Sequence, residues 1–330
     1  MQASFGRRAL GAAALSGLAR SGLAQTGAAA WPNRPVRLVV GYPAGGSTDI
    51  CARILAEDFR ARLPQPVVVE NRIGANGSLG AAYVAAATDG HTLLVSNSST
   101  MTVNHLLYRD ARYHPLRDLL PVATITVSPF ILAINPRNPR TRGVRTLQDL
   151  VALAQQEPGR ATYASAGVGN LQHLHMEQLL AAAGARMLHV PYRGSALATN
   201  AMVAGEVDAL LDTPTTGGPL VHAGTFAALA TTGETRWREL PEVPTVREAG
   251  YPDFVAVFWN GLVAPAHTPP ELVQRLFAAM QATAQSPTAR PPLLAQGDIL
   301  VLDPVRFGAR IAADIERNAA AIKAAGIEMQ

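Results

Sequence analysis

The sequence predicts an α/β protein of two lobes, each a mostly parallel sheet flanked by helices, with a ligand cleft between them. Three observations lead there. The apolar run VRLVV (36–40) reads as a strand covered on both faces and PVVVEN (66–71) as a second strand, and each is followed by a loop and a segment of helical spacing. The same strand–loop–helix design returns after residue 160, with no sequence repeat beneath it. A length of 330 residues, 48% of them hydrophobic, suffices for about two cored domains.

In chain order, each element has a local reason. After the 36–40 strand comes the loop GYPAGGSTD, then TDICARILAEDFRARL (48–63), which sets Ile50, Ile54, Leu55, Phe59 and Leu63 at helical spacing. Ser47 or Thr48 is the expected cap, and Asp49 falls in the first turn, where the macrodipole favours a carboxylate. PVVVEN (66–71) is a strand, IGANGSLG (73–80) a glycine turn into an alanine-rich helix over 79–87, and HTLLVSNSST (91–100) a strand running into a hydroxyl-rich loop. PVATITVSPFILAINP (121–136) holds two β-rich runs split by Ser128-Pro129, and TLQDLVALAQQ (146–156) is a helix capped by Thr146. ATYASAGVGN (161–170) leads into a helix over 171–184, MLHVPYRGS (187–195) into a helix over 196–204, and VDALLDT (207–213) is a strand ending in a polar loop. VPTVREAGYPDF (243–254) is a connection. VAVFWNGLVAP (255–265) reads as a strand pair broken at Asn260-Gly261. TPPELVQRLFAAMQAT (268–283) has a capping box, with Thr268 as cap, Pro269 at the first helical position and Glu271 three residues on from the cap. A last helix runs from about Pro304 to Ala325, with Val305, Phe307, Ile311 and Ile315 apolar.

The returning C-terminal segment implies a discontinuous first lobe, 31–130 with 255–330, and a second lobe, 131–254. The crossings fall near 126–134 and 251–258. Two crossings make a hinge, and the cleft between lobes is the natural ligand site.

The N-terminus reads as a cleavable export signal, residues 1–30. Arg7 and Arg8 precede the short apolar run ALGAAALSGLA, and Arg20 and small residues follow. The run is too short to span a membrane. The paired arginines suit a twin-arginine route, while Gly6 and Leu10 depart from that pattern, so general secretion stands equally; either route places the mature chain in the periplasm. These three arginines lie in 24 residues without an acid, so the net charge of +4 leaves the remainder near neutral. No later segment is a dense basic block, which argues against nucleic-acid binding. Cys51 is the only cysteine; an internal disulfide is excluded, and a small buried apolar role is expected for it.

Gly41 and Gly46 have phosphate-loop spacing, but Ser47 stands where the phosphate-reaching lysine belongs. Glycines let backbone N–H groups point into such a loop, and the following helix adds partial positive charge. A carboxylate suits that donor set better than a triphosphate; the bland alternative is a tight turn that binds nothing. The expected contacts from this loop are Tyr42, Pro43, Ala44, Gly45, Gly46, Ser47, Thr48 and Asp49. Ser96 and Asn97 add a hydroxyl and an amide. From the second lobe come Ser165, Ala166 and Gly167 in a loop of the same chemistry, with His173, Tyr192 and Asp212; Arg193 could pair with a second carboxylate or face solvent. Catalytic signals are weak. Tyr163-Ala164-Ser165-Ala166-Gly167 is half of a nucleophile elbow with no marked partner, and His173 and His175 do not share a helix face.

Taken together, WPNRPVRLVVGYPAGGSTDICAR, VVVENRIGANGSLGA, TYASAGVGNLQHLHMEQL, VPYRGSALATNAMVAGEVDALLDT, LPEVPTVREAGYPDF and VAPAHTPPELV resemble the Bug family, the extracytoplasmic solute receptors of tripartite tricarboxylate transporters. The resemblance covers about 31–330. It implies a two-lobed, hinge-closing periplasmic binding protein, type II-like, that captures a small organic acid and delivers it to membrane subunits of a tripartite carrier. The expectation is a monomer that is not an enzyme, with no cofactor because no residue is marked for covalent chemistry, no metal because His173 and His175 make a poor pair, and no nucleic-acid partner on the charge distribution. The family's first loop, matching 42–49, offers main-chain contacts and ordered waters to a ligand carboxylate, and 165–170 matches the opposing side. The chain departs from the pattern at Tyr42 and Ala44, and at Asn170-Leu171-Gln172, where members usually carry small hydroxyl residues before the histidine. The rival reading is an exported hydrolase-like enzyme on the same frame, with Ser165 or His173 catalytic. A regulatory effector domain is disfavoured by the export signal.

Overall fold

The computed structural model describes residues 31–327, so the 1–30 segment read as an export signal lies outside the described residues. Along the chain run β1 (Val36–Val40), α1 (Ser47–Arg60), β2 (Val67–Asn71), α2 (Ser78–Ala85), β3 (Thr92–Asn97), α3 (Ser98–Thr102), α4 (Asn104–Leu107), β4 (Leu119–Pro129), β5 (Ile131–Ile134), α5 (Leu147–Gln156), β6 (Thr162–Ser165) and α6 (Leu171–Ala182). There follow β7 (Leu188–Pro191), α7 (Ser195–Ala204), β8 (Ala209–Asp212), α8 (Pro214–His222), β9 (Ala227–Thr231), β10 (Val257–Pro265), α9 (Pro270–Gln285), α10 (Arg290–Leu294), β11 (Asp298–Ile299) and α11 (Pro304–Ala325).

They form a six-stranded sheet, β11-β4-β10-β3-β1-β2, and a five-stranded sheet, β7-β6-β8-β5-β9. Both are mixed, with less parallel pairing than the sequence suggests. β1 pairs in parallel with β2 and β3, and β6 with β7 and β8. The strands that carry the chain between lobes pair antiparallel: β10 with β3 and β4, and β5 with β8 and β9. The cause is direction. Parallel neighbours need crossover helices, whereas β4 leaves the first lobe and β10 returns to it, so the two run opposite ways.

Helices cover both faces of each sheet. In the first lobe, Leu55 and Phe59 of α1 join Leu276 and Met280 of α9 on one face, while Val84, Met101, Phe307 and Ile311 pack on the other. In the second, Ala198 and Met202 of α7 cover one face, and Leu150, Leu174 and Leu179 the other. Cys51 is fully buried in the first of these clusters, where burial pushes its thiol up to about 12.

The chain passes between sheets at Phe130 and again between β9 and β10. Thr232 ties the two passages. Its hydroxyl accepts from Phe130 N at 2.8 Å and donates to Ala256 O at 2.6 Å, and its own N–H donates to Phe130 O at 3.0 Å. α11 makes a third connection: Phe307 and Ile311 belong to the first-lobe core, while Ala321 belongs to the second-lobe core.

Three local expectations change. Ser128-Pro129 does not split the β runs; β4 continues through Pro129 and the break is Phe130. Residues 257–265 form one strand with bulges at Asn260/Gly261 and Leu262/Val263. Gly261 serves close packing there, since a Cβ would collide with the Phe307 ring and lie 3.1 Å from Ala123 O. α9 begins at Pro270 with Pro269 as an N-cap at ψ 139°, and the Thr268 capping box does not form. The residue before a proline is pushed out of the helical region, so Pro270 moves the start by one residue. By contrast, the Thr146 cap of α5 forms, completed into a box by Asp149. α8 and β9 were not foreseen: GGP interrupts the helical pattern and AALAT is too small and plain to mark a strand.

Gly261→Ala should therefore destabilise the first lobe by about 1–3 kcal/mol through overpacking against Phe307. Urea unfolding of the variant against the parent measures it, and an unchanged midpoint would contradict the packing role assigned to this glycine.

Candidate functional site

A cavity of about 220 Å³ lies between the lobes. Tyr42, Pro43, Ala44, Gly46, Ser47 and Thr48 form its first-lobe wall, with Asn97 and Ser99 beside them. Ala166, Asn170 and Gln172 at the start of α6, residues 193–197 at the start of α7, and Thr213 before α8 form the second-lobe wall. Phe130 and Phe258, one from each interlobe passage, close it on the hinge side, their rings edge-on at 5.8 Å.

The start of α1 is built differently from its sequence expectation. Its N-cap is Gly46, and no side chain caps it. The hydroxyls of Ser47 and Thr48 turn instead to Asn260: Asn260 Nδ2 donates to Ser47 Oγ at 3.1 Å, and Thr48 Oγ1 donates to Asn260 Oδ1 at 2.9 Å. Asn97 Nδ2 adds a bond to Thr48 Oγ1 at 3.0 Å. Asp49 is buried and does not line the cavity. It accepts from Gly45 N, Arg53 and Asn71, and these bonds outweigh burial to hold its carboxyl below the usual range. Arg53 neutralises Asp49, so the positive end of the α1 dipole stays available to an anion. Gly45 sits at φ +88°, a turn that suits glycine.

α7 repeats this arrangement from the other lobe. Gly194 is its N-cap, again with no side-chain cap, and Ser195, Ala196 and Leu197 of its first turn line the cavity. Thr146, Asp303 and Asn170 cap α5, α11 and α6, whereas α2, α9 and α8, whose N-cap Thr213 also lines the cavity, have no side-chain cap either. Two helix N-termini with side-chain-free N–H groups thus face one cavity from opposite lobes. Arg193 stands at its mouth, and no acidic side chain is among the cavity-lining residues.

The 165–170 loop is supported from behind. Ser165 is fully buried. Its hydroxyl donates to Gly167 O at 3.0 Å, accepts from Gly167 N at 3.2 Å, and contacts His189 Nε2 at 2.7 Å. His173 Nδ1 accepts from Gly169 N at 3.1 Å, and its ring stacks on His189 at 3.9 Å and 7°. Neither Ser165 nor His173 lines the cavity; both shape the loop that does. Asp212 lies behind Thr213, fully buried, accepting from Thr199, Thr216 and the Thr213 N–H, with burial raising its carboxyl to about 6. Ser96 is buried beneath the wall. Gly167 and Tyr192 line an adjoining, more open recess that shares Tyr42, Pro43 and Arg193 with the cavity. Sequence reasoning singled out neither Phe130 nor Phe258, because an apolar residue inside a strand looks like core. Leu197 was masked in the same way by its helix.

Residues 51–327 match the family described as "Tripartite tricarboxylate transporter family receptor". The chain is 34% identical to Protein BugT of Bordetella pertussis over 92% of this chain and 93% of that protein. Among solved structures, R. palustris Rpa4515 with adipate superposes with a TM-score of 0.84 at 32% identity, covering 90% of this chain and 99% of that one. MatC from Rhodopseudomonas palustris with bound malate gives 0.81 at 31% identity, covering 88% and 100%.

Two outcomes are expected. Gly46 has ordinary φ and open space around a would-be Cβ, so Gly46→Val should fold normally and place its side chain in the cavity. Affinity for any ligand held there should fall at least about tenfold in a calorimetric titration; parental affinity would remove the α1 loop from the site. Burial also lowers His173 to about 4, and lowers His189 to about 3 with His173 adding to the effect. These folded values lie below the usual 6.5, so the stability they contribute is complete above pH 6.5 and is lost as pH falls towards 4. His105 and His175, each lowered to about 4 mainly by burial, act the same way, and Asp212 acts oppositely. The melting temperature should fall from pH 6.5 to 4.5, less steeply in His189→Gln; a flat parental profile would contradict the neutral stack.

Proposed function

The chain belongs to the tripartite tricarboxylate transporter receptor family, and we propose that it captures a small organic acid between its lobes and delivers it to the membrane subunits of a tripartite carrier. The family is one of periplasmic solute receptors, not enzymes. The proposed course is export under direction of residues 1–30, by the twin-arginine or the general route, followed by work as a monomer.

One observation carries the reading: two uncapped helix N-termini, α1 and α7, converge on a cavity whose lining holds Arg193 and no acid. Such ends attract an anion by roughly 0.3–1 kcal/mol each when exposed and up to about 2 kcal/mol when partly buried. The proposed contacts are the main chain of 43, 44, 46–48 and 194–197, the Ser47 hydroxyl, the amides of Asn97 and Gln172, and Arg193 at the mouth. Phe130, Phe258 and Leu197 offer an apolar surface to the body of the ligand. Gly45, Asp49, Ser96, Ser165, Gly167, His173, Tyr192 and Asp212 act by shaping the walls. The relatives solved with adipate and with malate support a carboxylate as the ligand class.

A thermal-shift screen of the protein without residues 1–30, against mono-, di- and tricarboxylates, aromatic acids and amides, tests this. A ligand at about 100 times its Kd adds roughly 2.7 kcal/mol to the folded state. That moves the melting point by at least a few degrees in a chain of this size. No shift with any acid would sink the carboxylate reading.

A further inference from the structure

We propose that Arg238 and Thr215 are positioning residues that latch the closed receptor, on the side of the interlobe junction opposite an apolar pivot. The inference rests on the receptor reading above, in which closure serves capture. The structure is a closed form. A Cβ on Gly194 of the second-lobe wall would lie 3.2 Å from Pro43 Cδ of the first, so the walls already touch.

The two sides of the junction are built from different chemistry. On the side of α3, α4 and α6 the lobes share apolar core. Val103 and Leu107, from the first lobe, are 0% and 1% exposed within the second-lobe core. Packing is tight there, since a Cβ on Gly169 would lie 2.7 Å from Leu107 Cδ1. Tyr108 Oη donates to Val168 O at 2.6 Å, and Leu171 N donates to Ser99 Oγ at 3.1 Å. Parting the lobes on this side would put buried side chains into water, at a cost that grows with their apolar area.

On the side of α8 and α10 the lobes meet through polar groups. Thr215 Oγ1 donates to Gln296 Oε1 at 2.6 Å. Arg238 Nη1 donates to Asp298 Oδ1 at 2.6 Å, and Arg238 Nη2 donates to Leu294 O. Thr215 and Arg238 belong to the second lobe, whereas Leu294, Gln296 and Asp298 lie on or between α10 and β11 of the first. Beside these contacts a recess of about 410 Å³ lies between Pro219 and His222 of α8 and Pro291 and Leu294 of α10. The Arg238 and Asp298 side chains are 38% and 62% exposed. Groups so exposed exchange a protein partner for water at little cost. The contrast sets the motion: the lobes turn about the apolar side and part at the polar side. None of these five latch residues lines the ligand cavity. They bias the closed state for every ligand alike, and apparent affinity scales with the closed population.

Calorimetric titration with adipate, malate and citrate, and small-angle scattering of the ligand-free protein, both without residues 1–30, test this. Arg238→Glu should weaken every acid that the parent binds by one common factor, about three- to tenfold, with the ranking unchanged. Thr215→Val, which keeps the side-chain shape, should act in the same direction. Adding Asp298→Arg to Arg238→Glu should recover most of the loss. The ligand-free variants should scatter as more open molecules and return to the parental profile at saturating ligand. Parental affinity in both single variants, a changed ranking, or a charge swap that recovers nothing would overturn the latch and leave the receptor reading intact. A parent that binds none of the three acids counts against the receptor reading, and the ligand-free scattering then decides the latch alone. A more open profile in the variants supports it, and a parental profile overturns it.

Discussion

Asn260 is fully buried, and a buried amide needs partners for both of its ends. It finds them in Ser47, Thr48 and Thr126, which joins the start of α1 to the bulge of β10 and to β4. This bond set has two effects. It anchors the first wall of the cleft to the strands that lead to the hinge, one of them, β10, more than 200 residues away in sequence. It also withdraws from α1 the two hydroxyls best placed to cap it, leaving the first-turn N–H groups facing the cavity. The cavity wall is thus shaped by what the side chains do elsewhere.

This explains which parts of the protein were legible beforehand. Strands β1 to β3, helices α1, α5, α6 and α11, and the Thr146 cap follow from short-range periodicity and hydrogen bonding, and the residues that specify them are adjacent. The family pattern added the cleft and the two facing loops. What stayed hidden depends on distant partners. Ser47 and Thr48 look like caps until Asn260 is placed beside them. His173 looks like a ligand contact until His189, from another strand, is seen stacked on it. Asp212 ends a strand and points to a polar loop in sequence, yet three hydroxyl or N–H donors enclose it. Phe130 and Phe258 are unremarkable as strand residues and become cavity residues only because the chain changes lobes there.

The electrostatic character of the cleft follows from the same economy. Asp49 and Asp212 are the carboxylates nearest the cavity along these segments, and each is enclosed by its own donors behind the wall. The wall itself presents N–H groups, hydroxyls, amides and one guanidinium. Neutral dipoles of this kind recognise an anion with little need of a formal counter-charge, and they release it more readily than a buried ion pair would.

α11 bears on how such a molecule moves. Two neighbouring interlobe passages, tied by Thr232, permit twisting as well as bending. A long helix anchored by Phe307 and Ile311 in one core and by Ala321 in the other resists the twist. Three linkages restrict the relative movement of the lobes more than the two chain passages alone would.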